Sequence, residues 1–242
     1  MARKPARKSK TPRRAGPLRS ARRFLLRWLR RIVLAFVALV CVGVALFAFV
    51  NPPTTLYMAS ESGRLGGVAH EWVDLEDVAP VMARSVVAAE DANFCIHWGF
   101  DMTAIRKVIE DGENRGASTL TQQVVKNVYL WPARSYVRKA LEAAITPVVE
   151  LVWTKRRIVE VYLNVAEFDE GVFGVQAAAS HYFGVTPDQL TPTQAARLAA
   201  ILPSPKDRSA SRPGQFTQAR AASIMDGAAT ILRDGRADCF ED

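Results

Sequence analysis

Apolar positions divide this chain into two regimes. From Ile32 to Val50, nineteen residues run without a charge, enough to cross a bilayer whose hydrocarbon core is roughly 30 Å thick. From Val78 onward apolar residues recur every three or four positions over Val78–Ala89, Met102–Ile109, Leu120–Tyr129 and Val137–Trp153, then over Ile158–Leu163, Val172–Phe183, Pro192–Leu202 and Phe216–Leu232. That spacing is the helical period. Breakers separate the runs: Gly112 and Gly116, Trp131-Pro132, Gly184, Pro203 to Pro205, and Pro213-Gly214. No alternating strand pattern of useful length follows Val78. The pattern predicts a mainly α fold, about eight helices around one core, after one N-terminal transmembrane helix.

The flanks carry no such period. Residues 1–23 hold Pro5, Pro12, Gly16 and Pro17 among basic residues and are expected to be irregular. Residues 51–77 read as a connection punctuated by Pro and Gly, in which Leu56-Tyr57-Met58 and Trp72-Val73 are short strands or lipid-contacting segments. The expected division is therefore a basic tail over 1–31, a span over 32–50, a connecting segment over 51–77 and a helical domain over 78–242.

Charge sharpens that division. The net charge of +8 suggests a nucleic-acid partner, but residues 1–31 hold thirteen of the 32 Lys and Arg and no acid. The remainder carries 19 basic against 24 acidic residues, so the basic excess lies wholly in the tail and no nucleic acid is expected. A basic flank beside an apolar span is the positive-inside signal. A cleaved signal peptide would have a shorter apolar region closed by a small-x-small site, whereas this run ends in Phe47-Ala48-Phe49-Val50-Asn51-Pro52-Pro53. The expectation is a retained single-pass anchor in the cytoplasmic (inner) membrane, N-terminus inside and the domain outside, periplasmic. Three Cys make neither a disulfide framework nor a metal-ligand spacing. A Cys95–Cys239 bridge is open to an oxidising compartment but is not expected.

Three stretches carry chemistry. The first, Glu90-Asp91-Ala92-Asn93-Phe94-Cys95-Ile96-His97-Trp98-Gly99-Phe100-Asp101, ends an apolar helix in two carboxylates. Negative charge at a helix C-terminus opposes the macrodipole. Either these are solvated end charges or one is a rigidly held general base. The second, Gly116-Ala117-Ser118-Thr119-Leu120-Thr121-Gln122-Gln123-Val124-Val125-Lys126-Asn127, opens with a capping box, Thr119 with Gln122. It is a well-capped helix or, with exposed amides and Lys126 one turn in, an anion site. In the third, Arg134-Ser135-x-x-Arg138-Lys139-x-x-Glu142, Arg138 and Glu142 share a face as an ion pair or as part of a site.

In that order the stretches resemble the signatures of the peptidoglycan glycosyltransferases: Glu-Asp-x-x-Phe-x-x-His-x-Gly-x-Asp, Gly-x-Ser-Thr-x-Thr-Gln-Gln-x-x-Lys-Asn and Arg-Lys-x-x-Glu. Lys155-Arg156-Arg157-Ile158-x-Glu160-x-Tyr162-Leu163-Asn164 with Gly171-x-x-Gly174 is similar to a fourth signature. Tyr182-Phe183-Gly184 with Ala195 to Pro205 is similar to a closing block; both are read as structural, with Lys155 and Arg157 open as ligands. Asp169-Glu170-Gly171 departs from the family's usual Gly in that turn. The resemblance covers 78–205 densely. With no Ser-x-x-Lys or Lys-Thr-Gly in the sequence and no length left for a transpeptidase domain, it points to the monofunctional biosynthetic transglycosylases.

The resemblance implies a lysozyme-like fold and polymerisation of lipid II into β-1,4-linked glycan with release of the polyprenyl diphosphate. It implies Glu90 and Glu142 as the two catalytic carboxylates. The substrate contacts it implies are Asp91, His97, Ser118, Thr119, Gln122, Gln123, Lys126, Asn127, Arg134, Arg138 and Lys139. It also implies a divalent cation such as Mg²⁺, held at Glu142 through the diphosphate, which no ligand spacing here demonstrates. Implied partners are lipid II, the growing lipid-linked chain and the membrane, with other cell-wall synthesis proteins left open. A diphosphate leaving group needs positive charge more than a proton, and one base beside several cations fits that need. A wall-cleaving enzyme and a non-catalytic scaffold are the rival readings. The cations weigh against the first, because a neutral glycan offers them no diphosphate.

Overall fold

A computed structural model describes residues 17–111, 118–133 and 135–241, and these divide between two units, Met1–Val42 and Gly43–Asp242. Helix α1 (Pro17–Phe47) includes 27 residues, Ala21–Phe47, that are long and apolar enough to cross a membrane. At about 1.5 Å per residue this is roughly 40 Å of helix. The helix begins at Pro17, so residues 17–23, expected to be irregular, extend it instead, and it stops at Phe47, short of Val50. Proline at the first position costs no bond, since that amide has no helical partner.

Among the described residues of the second unit ten further α-helices follow: α2 (Leu56–Leu65), α3 (Pro80–Glu90), α4 (Met102–Asp111), α5 (Leu120–Tyr129), α6 (Tyr136–Val152), α7 (Lys155–Val165), α8 (Val175–Phe183), α9 (Pro192–Ile201), α10 (Gln215–Arg233) and α11 (Asp238–Glu241). The mainly α expectation holds. Helix α7 is buried nearly all round, through Ile158, Val159, Val161, Tyr162, Leu163 and Val165, as the central helix of a layered core must be. Helix α5 packs against α6 and α7, while α3, α9 and α10 pack on one another. Ala195, Ala196, Ala199 and Ala200 of α9 are fully buried, small side chains that let neighbouring helices approach. At Gly227 of α10 an added Cβ would lie 3.1 Å from that of Ala88 on α3, so the two helices nearly touch there.

Three features differ from the expected pattern. Residues 56–65 are helical, because Thr55 caps the amide of Met58 and Gly66 closes the helix in a left-handed conformation. The run expected as a helix from Val172 starts as strand. Strands β1 (Ala69–His70), β2 (Glu167–Asp169) and β3 (Val172–Phe173) form a sheet of order β1-β3-β2. Strand β1 runs parallel to β3, with Ala69 opposite Val172, and β2 runs antiparallel to it. Strands of two or three residues are too short to show an alternating pattern. Gly174, at φ +82°, separates β3 from α8, and a Cβ there would stand 2.9 Å from the Asn164 carbonyl.

The cysteine expectation is corrected as well. Cys95 and Cys239 are joined as a disulfide, their Cα atoms 5.7 Å apart, tying the turn after α3 to α11 across 144 residues. Spacing could not reveal this, since the pairing depends on where α11 docks.

Candidate active site

Glu90 is the last residue of α3 and Asp91 its C-cap. They part company at once. Asp91 turns inward: one oxygen accepts the Leu120 amide at 3.0 Å and the other lies 2.7 Å from His97 Nε2. His97 Nδ1 is buried without a partner. Glu90, less deeply buried, lines a cleft of about 310 Å³, whose wall also includes Asp91, Asn93, Asp101, Ser118 and Thr119.

The start of α5 is built by its own sequence. Thr119 accepts the Gln122 amide, and Gln122 Oε1 accepts the Thr119 amide at 3.0 Å, the predicted capping box. Thr119 Oγ1 also donates to the Gly99 carbonyl at 2.7 Å. Gly99 has φ +81°, and a Cβ there would clash with Thr146. The amides of Thr119, Leu120 and Gln122 are therefore taken by protein groups, which removes most of the donors an anion site would need. Thr119 and Gln122 serve the helix itself.

One turn further, α5 reaches Glu90. Gln123 Nε2 donates to Glu90 Oε2 at 3.0 Å, and the Tyr162 hydroxyl lies 3.4 Å from Gln123 Oε1. Lys126 is half-buried and makes no hydrogen bond or ion pair among the described residues, while Asn127 beside it is half-buried too. Burial pushes the Lys126 ammonium below its ordinary range, against the raising influence of Glu142 and Glu90. Burial likewise pushes the Glu90 carboxyl up, opposed by Gln123, Arg220 and Lys126. Lys126 thus feels both carboxylates, linking Glu90 to the third stretch.

That stretch lies in the first turns of α6. Glu142 is 2 % exposed and bracketed by two cations. Arg138 Nη1 donates to it at 2.8 Å, and Lys139 Nζ donates both to it and, at 3.1 Å, to Ser118. The ion-pair reading holds. Arg134 lies outside the described residues. Lys155 and Arg157 are engaged elsewhere: Lys155 pairs with Glu150 at 2.9 Å and donates to the His97 carbonyl, while Arg157 pairs with Glu160 and donates to the carbonyls of Phe47 and Val50. Both hold structure.

The fold adds residues that sequence reasoning passed over. Arg220 on α10 reaches the Ala89 carbonyl at 3.3 Å and Glu90 Oε1 at 3.5 Å. It comes from an ordinary amphipathic run with no motif, so no sequence signal marked it. Glu150, also unmarked, accepts from Thr121 and Lys155 behind the His97 turn.

With this geometry in view, comparison with known proteins is informative. Residues 59–229 match the family described as Transglycosylase. The chain is 57% identical over 240 residues to the biosynthetic peptidoglycan transglycosylase of Jannaschia sp., covering 99% of each chain. It is 45% identical over 225 residues to the protein of that name from Caulobacter vibrioides, covering 90% of this chain and 98% of the relative. With that of Salmonella arizonae it shares 46% over 225 residues, covering 88% and 91%.

Proposed function

Because the chain belongs to the transglycosylase family, we propose that it is a peptidoglycan glycosyltransferase that polymerises lipid II, with Glu90 as general base. One observation carries the reading: a largely buried carboxylate lines a cleft within electrostatic reach of a half-buried lysine that makes no hydrogen bond or ion pair among the described residues. A base and an uncommitted cation are what attack on a glycosyl diphosphate requires.

In this mechanism Glu90 takes the proton of the sugar 4-hydroxyl of incoming lipid II. The oxygen attacks the anomeric carbon of the growing chain from the face opposite the diphosphate, and the C–O bond to the diphosphate breaks. The centre inverts from α to β. Lys126 receives the charge that develops on the leaving diphosphate. Arg138 and Lys139, held in place by Glu142, extend the positive field on the same side. Glu142 acts by aiming these cations. Asp91 and His97 support the base from behind, and α1 keeps the domain at the membrane where both lipid-linked substrates reside.

A divalent cation is proposed only as a counter-ion arriving with the diphosphate. Among the described residues no group of three acidic, His or Cys side chains assembles a protein site. Glu142, the expected ligand, already meets two cations whose charge opposes a third.

The test is incubation of the detergent-solubilised chain with labelled lipid II, followed by muramidase digestion. Long, muramidase-sensitive polymer from the wild type and none from folded E90Q is the expected result. Release of fragments from finished wall without polymer would move the same carboxylates to a cleaving enzyme. Neither activity would leave a scaffold.

A further inference from the structure

Glu90 is gripped on both edges of its carboxylate, by groups from two different helices. Gln123 of α5 donates to Oε2 at 3.0 Å, and the Arg220 guanidinium of α10 stands 3.5 Å from Oε1 while donating to the neighbouring Ala89 carbonyl at 3.3 Å. The Arg220 side chain is only 31% exposed, and its Nε is buried without a partner. Buried donors left unpaired are uncommon. This one shows a guanidinium whose placement suits the end of α3 better than its own hydrogen-bonding needs. The close passage of Gly227 past Ala88 brings α10 near enough for that reach.

We propose that Arg220 is a positioning residue for Glu90, clamping its Oε1 edge so that the carboxylate holds one orientation toward the cleft. The inference rests on the reading of Glu90 as base. A carboxylate held only by Gln123 would rotate about that single bond and spend much of its time with its free lone pairs misdirected, and proton transfer depends on their alignment. The other charged and titratable groups facing Glu90 are Asp91 on its own helix, Lys126 on α5 and the Tyr162 hydroxyl on α7. Two cations therefore oppose burial and Asp91, and Arg220 supplies one of them. Removing it leaves the carboxyl harder to ionise, so the base comes into action only at higher pH.

The experiment compares R220Q and R220K with wild type in two readouts on the full chain. The first is the initial rate of polymer formation from labelled lipid II against pH. The second is the titration of the Glu90 carboxyl by carbon-13 NMR, assigned by difference from E90Q. For R220Q both the acid limb of the rate and the Glu90 titration should move up by about one pH unit, with kcat falling several-fold and KM little changed; R220K should lie between R220Q and wild type. Should R220Q not fold, R220K carries the test through the same two shifts. If neither readout moves in a folded variant, the proposal is overturned. A carboxyl titration that moves while the rate limb stays put would uphold the clamp and refute Glu90 as base.

Discussion

The carboxylate of Asp91 accepts the backbone amide of Leu120 at 3.0 Å. The residue next to Glu90 thus caps the helix that carries Gln123 and Lys126, and the adjacent acids divide the labour. Asp91 is buried and bonded into the fold, Glu90 keeps its carboxylate toward Gln123, and the hydrogen bond from Leu120 ties the end of α3 to the start of α5.

Loss of that bond should be felt in both stability and rate. Asp91→Ala leaves the Leu120 amide and His97 Nε2 unpaired in a buried setting, at a cost of about 2 kcal/mol. Asp91→Asn keeps an acceptor and should cost clearly less. Urea denaturation of the two variants checks the order, and equal losses would remove the capping role.

Glu90→Gln should be inactive yet more stable than wild type at neutral pH. Burial raises the folded carboxyl above its ordinary value of 4.5, so folding favours the protonated form. The contribution is intact below pH 4.5 and is lost as pH rises through the folded value. Melting curves of the two proteins should coincide near pH 4 and separate above it, E90Q higher.

The rate profile should be a bell narrower than the ordinary values imply. Its acid limb reports Glu90, moved up from 4.5, and its basic limb Lys126, moved down from 10.5. Lys126→Met should lower turnover by roughly a hundredfold or more with no loss of melting temperature, since burial outweighs the pull of Glu142 and Glu90 on the charge it removes. In that variant the basic limb should vanish, and its persistence would assign the limb elsewhere.

Arg138 and Lys139 should differ although both meet Glu142. The Arg138 side chain is 12% exposed and that of Lys139 47%. Arg138→Ala leaves the buried Glu142 with only the more solvated partner and should cost about 2–3 kcal/mol; Lys139→Ala should cost under 1 kcal/mol. Chemical denaturation distinguishes them.

The Cys95–Cys239 link should stabilise the folded domain by about 2–4 kcal/mol through the long loop it closes. Cys239→Ser, or reduction with a dithiol, should lower the melting temperature accordingly. An unchanged melting temperature in the oxidised and reduced protein would show that the thiols do not pair in solution.

Much of this architecture was legible in the order of residues because its causes are local. The helical period of α3 to α10, the Thr119–Gln122 box and the Arg138–Glu142 spacing are settled within one or two turns of chain. The uncharged run from Ile32 likewise needs no tertiary partner to be read. Helix α2 escaped because its polar Ser60-Glu61-Ser62-Gly63 core breaks the apolar period; it is kept by a tertiary partner, Lys206, 2.8 Å from Glu61.

What tertiary structure alone decided is which way each polar group turns. Adjacent in sequence, Glu90 and Asp91 are chemically alike, and only the docking of α5 against the end of α3 gives Asp91 the Leu120 amide and Glu90 the Gln123 side chain. The same docking takes the Leu120 amide, which the sequence left free for an anion, and leaves Lys126 without a hydrogen bond or ion pair among the described residues. Arg220 and the Cys95–Cys239 link lie 130 and 144 residues from their partners. Contacts over such separations depend on how whole helices pack, a global balance of burial and close approach that no local pattern encodes.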